Sequence, residues 1–345
     1  MKYFQIKNIK IGPEYPPQIV AEIGINHNGD INEAIRIAKS AINNGAKLIK
    51  HQTHVVEDEM SIEAKKIIPG NSDKNIYEII SSCALSEDDE KKLMQFCNDN
   101  GAIFFSTPFS KKAVDRLDKF NVPCIKIGSG ECNNYPLVEY IAKKNRPIIL
   151  STGMNSIDTI KPSVEILRKY NLPFMLLHCV NVYPTKNEIL NLNSINLLKQ
   201  EFPDAVIGYS DHTKDNYAAY ASVSLGACLV EKHYIDSKEK SGPDISCSMD
   251  EKELRDLIYG SKIIHQSLGW DKGPKMEEQK TINFAYASVV AIKEINKGDF
   301  FTENNTWVMR PGNGDFLAKD WKSILGKVAK NNIKKLCQIS KKDIL

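Results

Sequence analysis

Apolar and polar positions along most of this chain switch between two periods. Short runs rich in Ile, Val, Leu and Phe recur at 18–23, 47–52, 102–106, 124–127, 147–150, 173–178, 205–209 and 228–231. Runs of that length bounded by polar residues predict buried strands. Most intervals between them take a helical period, at 32–43, 87–100, 110–120, 135–144, 156–170 and 190–201, and a further helix is predicted at 250–268. Apolar run, helical segment and apolar run over 205–231 make one βαβ unit, whose right-handed crossover leaves the strands parallel. Eight strands each followed by a helix predict the α/β class and a (β/α)8 TIM barrel, which keeps its chemistry at the carboxyl ends of its strands.

One interval is irregular. Between the second and third runs, 53–83 adds roughly thirty residues, including Pro69-Gly70-Asn71-Ser72-Asp73, and an insertion at that end of a barrel predicts a lid or substrate wall. After the 250–268 helix, Gly269-Trp270-Asp271-Lys272-Gly273-Pro274-Lys275 and a polar stretch to 283 read as a linker. The expected division is a catalytic barrel over 1–270, a linker over 271–283 and a small domain over 284–345. That last segment is a series of short apolar pieces cut by Gly and Pro, small for an independent core and suited to packing on a partner.

Composition narrows the function. A net charge of +3, from 46 basic and 43 acidic residues in 345, makes no field for a polyanion, so nucleic acid is not an expected partner. No apolar run approaches the roughly twenty residues of a membrane helix, and Met1-Lys2-Tyr3-Phe4-Gln5 lacks the apolar core of a signal peptide. The expected location is cytoplasmic, with no membrane partner. The eight cysteines show no paired C-x-x-C spacing and are expected as free thiols.

Collecting the polar residues at the predicted strand ends gives Glu22, Lys50 with Gln52, Thr107, Lys126 with Ser129 and Glu131, Ser151, Asn181 with Tyr183, Ser210 with His212, and His233. Residues two apart on a strand point to one side, so Lys50 and Gln52, or Ser210 and His212, share a face. His212 and His233, ending successive strands, form a geometry for two ligands of one metal ion; the alternative is that each imidazole hydrogen-bonds at its strand end. Two lysines entering an apolar barrel require anions, and the hydroxyls of Ser129, Ser151 and Ser210 suit phosphate oxygens. A phosphorylated substrate follows, unless each lysine pairs with an inward carboxylate such as Glu22 or Glu131. The glycines of Lys126-Ile127-Gly128-Ser129-Gly130-Glu131 let backbone approach a ligand, but the run matches no nucleotide-binding pattern.

Glu22-Ile23-Gly24-Ile25-Asn26-His27-Asn28-Gly29, Lys50-His51-Gln52-Thr53, Ser106-Thr107-Pro108-Phe109, Lys126 through Asn134, Ser151-Thr152-Gly153-Met154-Asn155, Ser210-Asp211-His212-Thr213 and Ser241-Gly242-Pro243-Asp244 closely resemble the bacterial sialic acid synthases. The carboxyl-terminal segment resembles the antifreeze-like (SAF) domain that in those enzymes closes the partner subunit's site. The resemblance implies condensation of phosphoenolpyruvate with N-acetylmannosamine to give a nine-carbon 2-keto acid and phosphate. It implies His212 and His233 as ligands of a divalent metal, commonly Mn2+, with Mg2+ or Co2+ as alternatives. It places Lys50, Lys126, Ser129, Ser151 and Ser210 on phosphoenolpyruvate. Glu22, Gln52, Asn181, Tyr183 and Asp244 would hold the sugar, Thr107 would join the substrate contacts, and Glu131 would act in proton transfer. Arg310 would reach the sugar's N-acetyl group in trans, across a homodimer. The run from Ser241 to Asp250 and the pair Asn133-Asn134 resemble the N-acetylneuraminate branch rather than the legionaminic or pseudaminic ones. A pyruvate-dependent metal aldolase would need the same histidines but no phosphate cradle, and a sugar- or ice-binding protein would leave the strand-end polar groups without a role.

Overall fold

The computed structural model describes residues 3–68, 73–240, 242 and 244–345. It divides into two compact units, Met1–Gly269 and Trp270–Leu345.

The first unit opens with two three-residue strands, β1 (Phe4–Ile6) and β2 (Ile9–Ile11), paired as an antiparallel hairpin. Eight parallel strands follow: β3 (Gln18–Gly24), β4 (Leu48–Thr53), β5 (Ile103–Pro108), β6 (Ile125–Ile127), β7 (Ile148–Ser151), β8 (Phe174–Cys179), β9 (Val206–Asp211) and β10 (Leu229–His233). They pair in chain order, and β10 returns to β3 to close the barrel. Each lies where an apolar run predicts it, with ends shifted by a residue or two. The shifts matter at β9 and β10, where pairing carries the strands on to Asp211 and His233, so the second histidine stands on a rigid strand.

Alternation sorts the strand residues into two layers. Val20, Leu48, Phe105, Ile149, Met175, Leu177, Val206 and Leu229 fill the barrel, while Ile19, Ala21, Ile49, Phe104, Leu176, Ile207 and Val230 face the surrounding helices. The helices begin on side-chain caps that satisfy their free backbone N–H groups. Asp30 starts Ile31–Asn43, Ser110 starts Lys111–Lys119, and Ser156 starts Ile157–Lys169. Asp250 and Glu253 form a reciprocal capping box on Glu251–Ser267. The hairpin, which the apolar pattern does not reveal, packs Phe4, Ile6 and Ile11 onto the inner layer and seals the amino-terminal end of the barrel.

The insertion after β4 folds into a helical turn, Val56–Glu59, and a helix, Ile76–Cys83, which pack through Val56, Ile80 and Cys83 against Ile25. Pro69–Ser72 of that insertion lie outside the described residues, as do Ser241 and Pro243 of the Ser241–Asp250 motif. All eight cysteines are free, and seven of them are buried. No helix among the described residues is long and apolar enough to cross a membrane.

In the second unit the stretch read as a linker carries a helix, Gln279–Ala285. Strands β11 (Ser288–Ala291) and β12 (Thr306–Met309) pair antiparallel over a core that includes Val289, Phe301, Ile324, Ile333 and Ile339. Trp321 donates its indole N–H to Thr306 Oγ1 at 3.0 Å and meets Trp307 edge-on.

Candidate active site

The inward side chains at the carboxyl ends of the strands surround a cavity of about 380 Å3. Thirteen of the expected residues line it: Glu22, Lys50, Gln52, Thr107, Lys126, Ser129, Ser151, Asn181, Tyr183, Ser210, His212, His233 and Asp244. Every barrel strand, or the turn following it, contributes. Glu131 does not line the cavity; a tight turn at Ser129–Glu131 leaves it beside the lining residue Gly130, with Oε2 accepting a 2.6 Å bond from Asn134. Arg310 belongs to the second unit, where it is exposed and makes no hydrogen bond or ion pair among the described residues.

Charge organises the cavity floor. Lys50 Nζ stands 2.8 Å from Glu22 Oε2 and 3.2 Å from Thr107 Oγ1, while Gln52 donates to the other Glu22 oxygen at 3.0 Å. Burial opposes charge on Glu22, but Lys50 and His233 outweigh it and hold the carboxyl at about 2. Burial likewise disfavours the Lys50 ammonium, yet Glu22 and Glu231 raise its pKa. Lys126 donates to Ser151 Oγ at 2.7 Å; burial, reinforced by repulsion from Lys50, lowers its pKa despite Glu231. Lys50 thus has the inward carboxylate partner, Glu22, that the alternative to a phosphate cradle calls for, whereas Lys126 has none within direct hydrogen-bond distance among the described residues; Glu231, absent from the expected set, lies between the two lysines, 3.6 Å from each. The alternation that pairs Ser210 with His212 also places Glu231 on the same face as His233, so a signal for it was present. His54, Glu59, Met60, Ile76 and Ile80 from the insertion complete one wall, as the lid-or-wall reading requires.

Gly153 is required for this packing. A Cβ there would fall 1.9 Å from Asn181 Oδ1 and 2.9 Å from Ser129 Oγ, and the glycine N–H instead donates to that hydroxyl at 3.1 Å.

The two histidines meet at the mouth with ring centroids 5.6 Å apart. His212 Nδ1 donates to the Val180 carbonyl at 2.8 Å, which leaves Nε2 with a free lone pair. His233 Nδ1 is buried without a hydrogen-bond partner, 3.6 Å from Asp244 Oδ2. The Tyr183 ring lies against His212, tilted by 36° with centroids 4.1 Å apart. No group of three or more His, Cys, Asp or Glu residues among those described is arranged to hold a metal. An orphaned imidazole nitrogen beside a second free one nevertheless fits a divalent cation whose remaining positions are open to substrate and water.

The outward residues of the same strands brace these groups. Lys232 Nζ, fully buried, donates to Asp211 Oδ2 at 2.7 Å and Thr213 O at 2.6 Å, fixing the turn that carries His212. On β4, His51 Nδ1 donates to Glu90 Oε1 at 3.1 Å, and its Nε2 takes the His27 Nε2 proton at 3.2 Å; Arg116 closes on the other Glu90 oxygen at 3.0 Å. The tautomers follow from Gly29, whose N–H donates to His27 Nδ1. Burial, with His51 alongside, lowers the His27 pKa from 6.5 to about 3. The unfolded chain therefore takes up this proton first. The stability contributed by neutral His27 is complete above about pH 6.5 and is lost as pH falls toward 3. His27→Asn is expected to flatten the fall in urea midpoint between about pH 7 and 4; an unchanged slope would assign acid sensitivity elsewhere.

Residues 24–272 match the NeuB family, and residues 286–345 match the SAF domain. The chain belongs to the NeuB family. It is 36% identical to N,N'-diacetyllegionaminic acid synthase of Campylobacter jejuni over 92% of this chain and 96% of that one. It is 35% identical to N-acetylneuraminate-9-phosphate synthase of Mus musculus over 75% and 73%. The solved N-acetylneuraminic acid synthetase of Leptospira borgpetersenii, in complex with citrate, superposes with a TM-score of 0.74 at 32% identity, over 81% of this chain and 95% of that one. This NeuB-family chain is a sialic-acid-type synthase with a TIM barrel and a carboxyl-terminal SAF domain.

Proposed function

We propose that the chain is an N-acetylneuraminate synthase, condensing phosphoenolpyruvate with N-acetylmannosamine and water to give N-acetylneuraminate and phosphate. The observation that carries this reading is the pair of buried lysines, with Ser129, Ser151 and Ser210 around them, facing His212 and His233 in one cavity. The lysines and serines hold the phosphate and carboxylate of phosphoenolpyruvate. Gln52, Asn181, Tyr183 and Asp244, with Glu22 as an ionised acceptor, orient the open-chain sugar so that its aldehyde carbon meets the enol carbon. A divalent cation at His212 and His233, Mn2+ in the first place and Mg2+ or Co2+ as alternatives, would supply Lewis acidity for the aldehyde.

The methylene carbon of phosphoenolpyruvate bonds to the aldehyde carbon as the aldehyde C=O opens and its oxygen takes up a proton, and positive charge develops on the carbon bearing the phosphate ester. Water adds there and loses a proton. The carbon–oxygen bond to phosphate then breaks, leaving the keto group. Of the two carboxyls expected to act, Glu22 is held ionised and burial raises Glu131; because Glu131 stands beside the lining residue Gly130 rather than in the cavity, its proposed proton transfer would run through water. Arg310 is proposed to complete the partner's site in a homodimer. Eight free cysteines accord with a cytoplasmic enzyme.

Phosphoenolpyruvate labelled at its bridging oxygen decides the chemistry. All label is expected in phosphate, released one for one with a product of N-acetylneuraminate mass. Label in the keto acid would mean P–O cleavage, and product formed from pyruvate but not from phosphoenolpyruvate would mean a pyruvate aldolase. The identity to a synthase of N,N'-diacetyllegionaminic acid favours a 2,4-diacetamido sugar as the second reading. Turnover of that sugar in preference to N-acetylmannosamine would replace the first.

A further inference from the structure

Glu231 is a buried carboxylate to which the proposed chemistry gives no part. Its place on β10, beside Ser210 of β9 in the register, turns it into the barrel. There Oε1 lies 3.6 Å from both Lys50 Nζ and Lys126 Nζ and accepts a 3.3 Å bond from Ser210 Oγ; Oε2 is buried with no hydrogen-bond partner.

The four groups at the floor, two ammoniums and two carboxylates, sum to no net charge. Their bonds are unequal. Glu22 is committed at 2.8 Å to Lys50 and at 3.0 Å to Gln52, and Lys126 is committed at 2.7 Å to Ser151. Only the Glu231 contacts to the lysines are longer than a direct hydrogen bond. The carboxylate therefore sits at the locus where both ammoniums point, held loosely enough for another anion to compete with it.

Resting on the lysine cradle of the proposed function, we propose that Glu231 is a positioning residue, the internal counter-ion of Lys50 and Lys126. It keeps the two ammoniums trained on one point in the empty site, and by competing there with substrate and product anions it speeds release of phosphate.

Charge, rather than packing, is the operative property, so Glu231→Gln separates this role from a structural one. With the metal-loaded full chain, calorimetry with inorganic phosphate and steady-state kinetics are expected to show phosphate binding tightened by roughly tenfold or more, since a charge a few ångströms from the site is removed. KM for phosphoenolpyruvate and kcat should fall together. Glu231→Asp, which keeps the charge but withdraws it by one methylene, should tighten phosphate less, and it serves as the readout if the glutamine variant does not fold. A folded Glu231→Gln that binds phosphate no more tightly than wild type, or shows a raised KM, overturns the proposal. Lys126→Met is the control on the underlying reading. If it abolishes phosphate binding while Glu231→Gln leaves binding unchanged, the counter-ion role alone is wrong. Phosphate bound equally well by Lys126→Met removes the cradle and the counter-ion role together.

Discussion

Alanine at His212 or His233 is expected to cut turnover by a factor on the order of a thousand or more, because either change removes half of the two-nitrogen site proposed to hold the Lewis acid, whose stabilisation of developing charge is several kcal/mol. The fold should survive. His212 surrenders its hydrogen bond to Val180 O, worth about 1 kcal/mol, and a long 3.8 Å contact with Cys179 Sγ, while His233 Nδ1 has no hydrogen bond to lose. Phosphate release measures the first effect and the urea midpoint the second. Titration of the folded variants with Mn2+, followed by calorimetry, reads the metal directly and should show binding lost in both. Full activity of either variant after chelation, with no metal restored, would refute the assignment of these nitrogens.

The second large effect is a recovery. Arg310→Ala and His212→Ala should each be inactive as homodimers, yet unfolding and refolding them together in equal amounts should restore about a quarter of wild-type activity if Arg310 acts in trans. Half of randomly paired dimers are mixed, and each mixed dimer has one site made from an intact barrel and an intact arginine. Its other site carries both lesions. Arg310 is suited to such a role because it is exposed, unpaired among the described residues, and flanked by Met309 with Trp307 nearby, both also exposed. An arginine serving its own chain would leave every site damaged, so activity no higher than the parents', with mixed dimers verified by mass, would dismiss the exchange.

The barrel was legible because each strand is a short apolar run and each helix changes the period, so β3 to β10 could be located within a residue or two. The hairpin was not: three residues a side, Phe4–Ile6 and Ile9–Ile11, are too few for a pattern. The expected residues that line the cavity mostly sit on a strand or closely after it, where the pleat dictates direction. Glu131 shows where this stops, because two residues into a tight turn alternation no longer says which way a carboxyl faces. Glu231 was obscured for another reason. It falls in the cluster Glu231-Lys232-His233, which reads as one polar patch until the strand is carried through it and sends Lys232 outward to Asp211 and its neighbours inward. His54 and Glu59 come from an insertion with no period to follow.

The hairpin that seals the barrel has a consequence for synthesis on the ribosome. Its side chains are made before any barrel strand, but the inner layer they cover includes Val206, Cys228 and Leu229. No complete seat for Phe4, Ile6 and Ile11 exists until β10 has left the ribosome and joined β3, which makes these contacts among the most distant along the chain. While the barrel is being translated the nascent chain therefore carries an unburied apolar hairpin, and completion of the seal waits on the last barrel strand, β10.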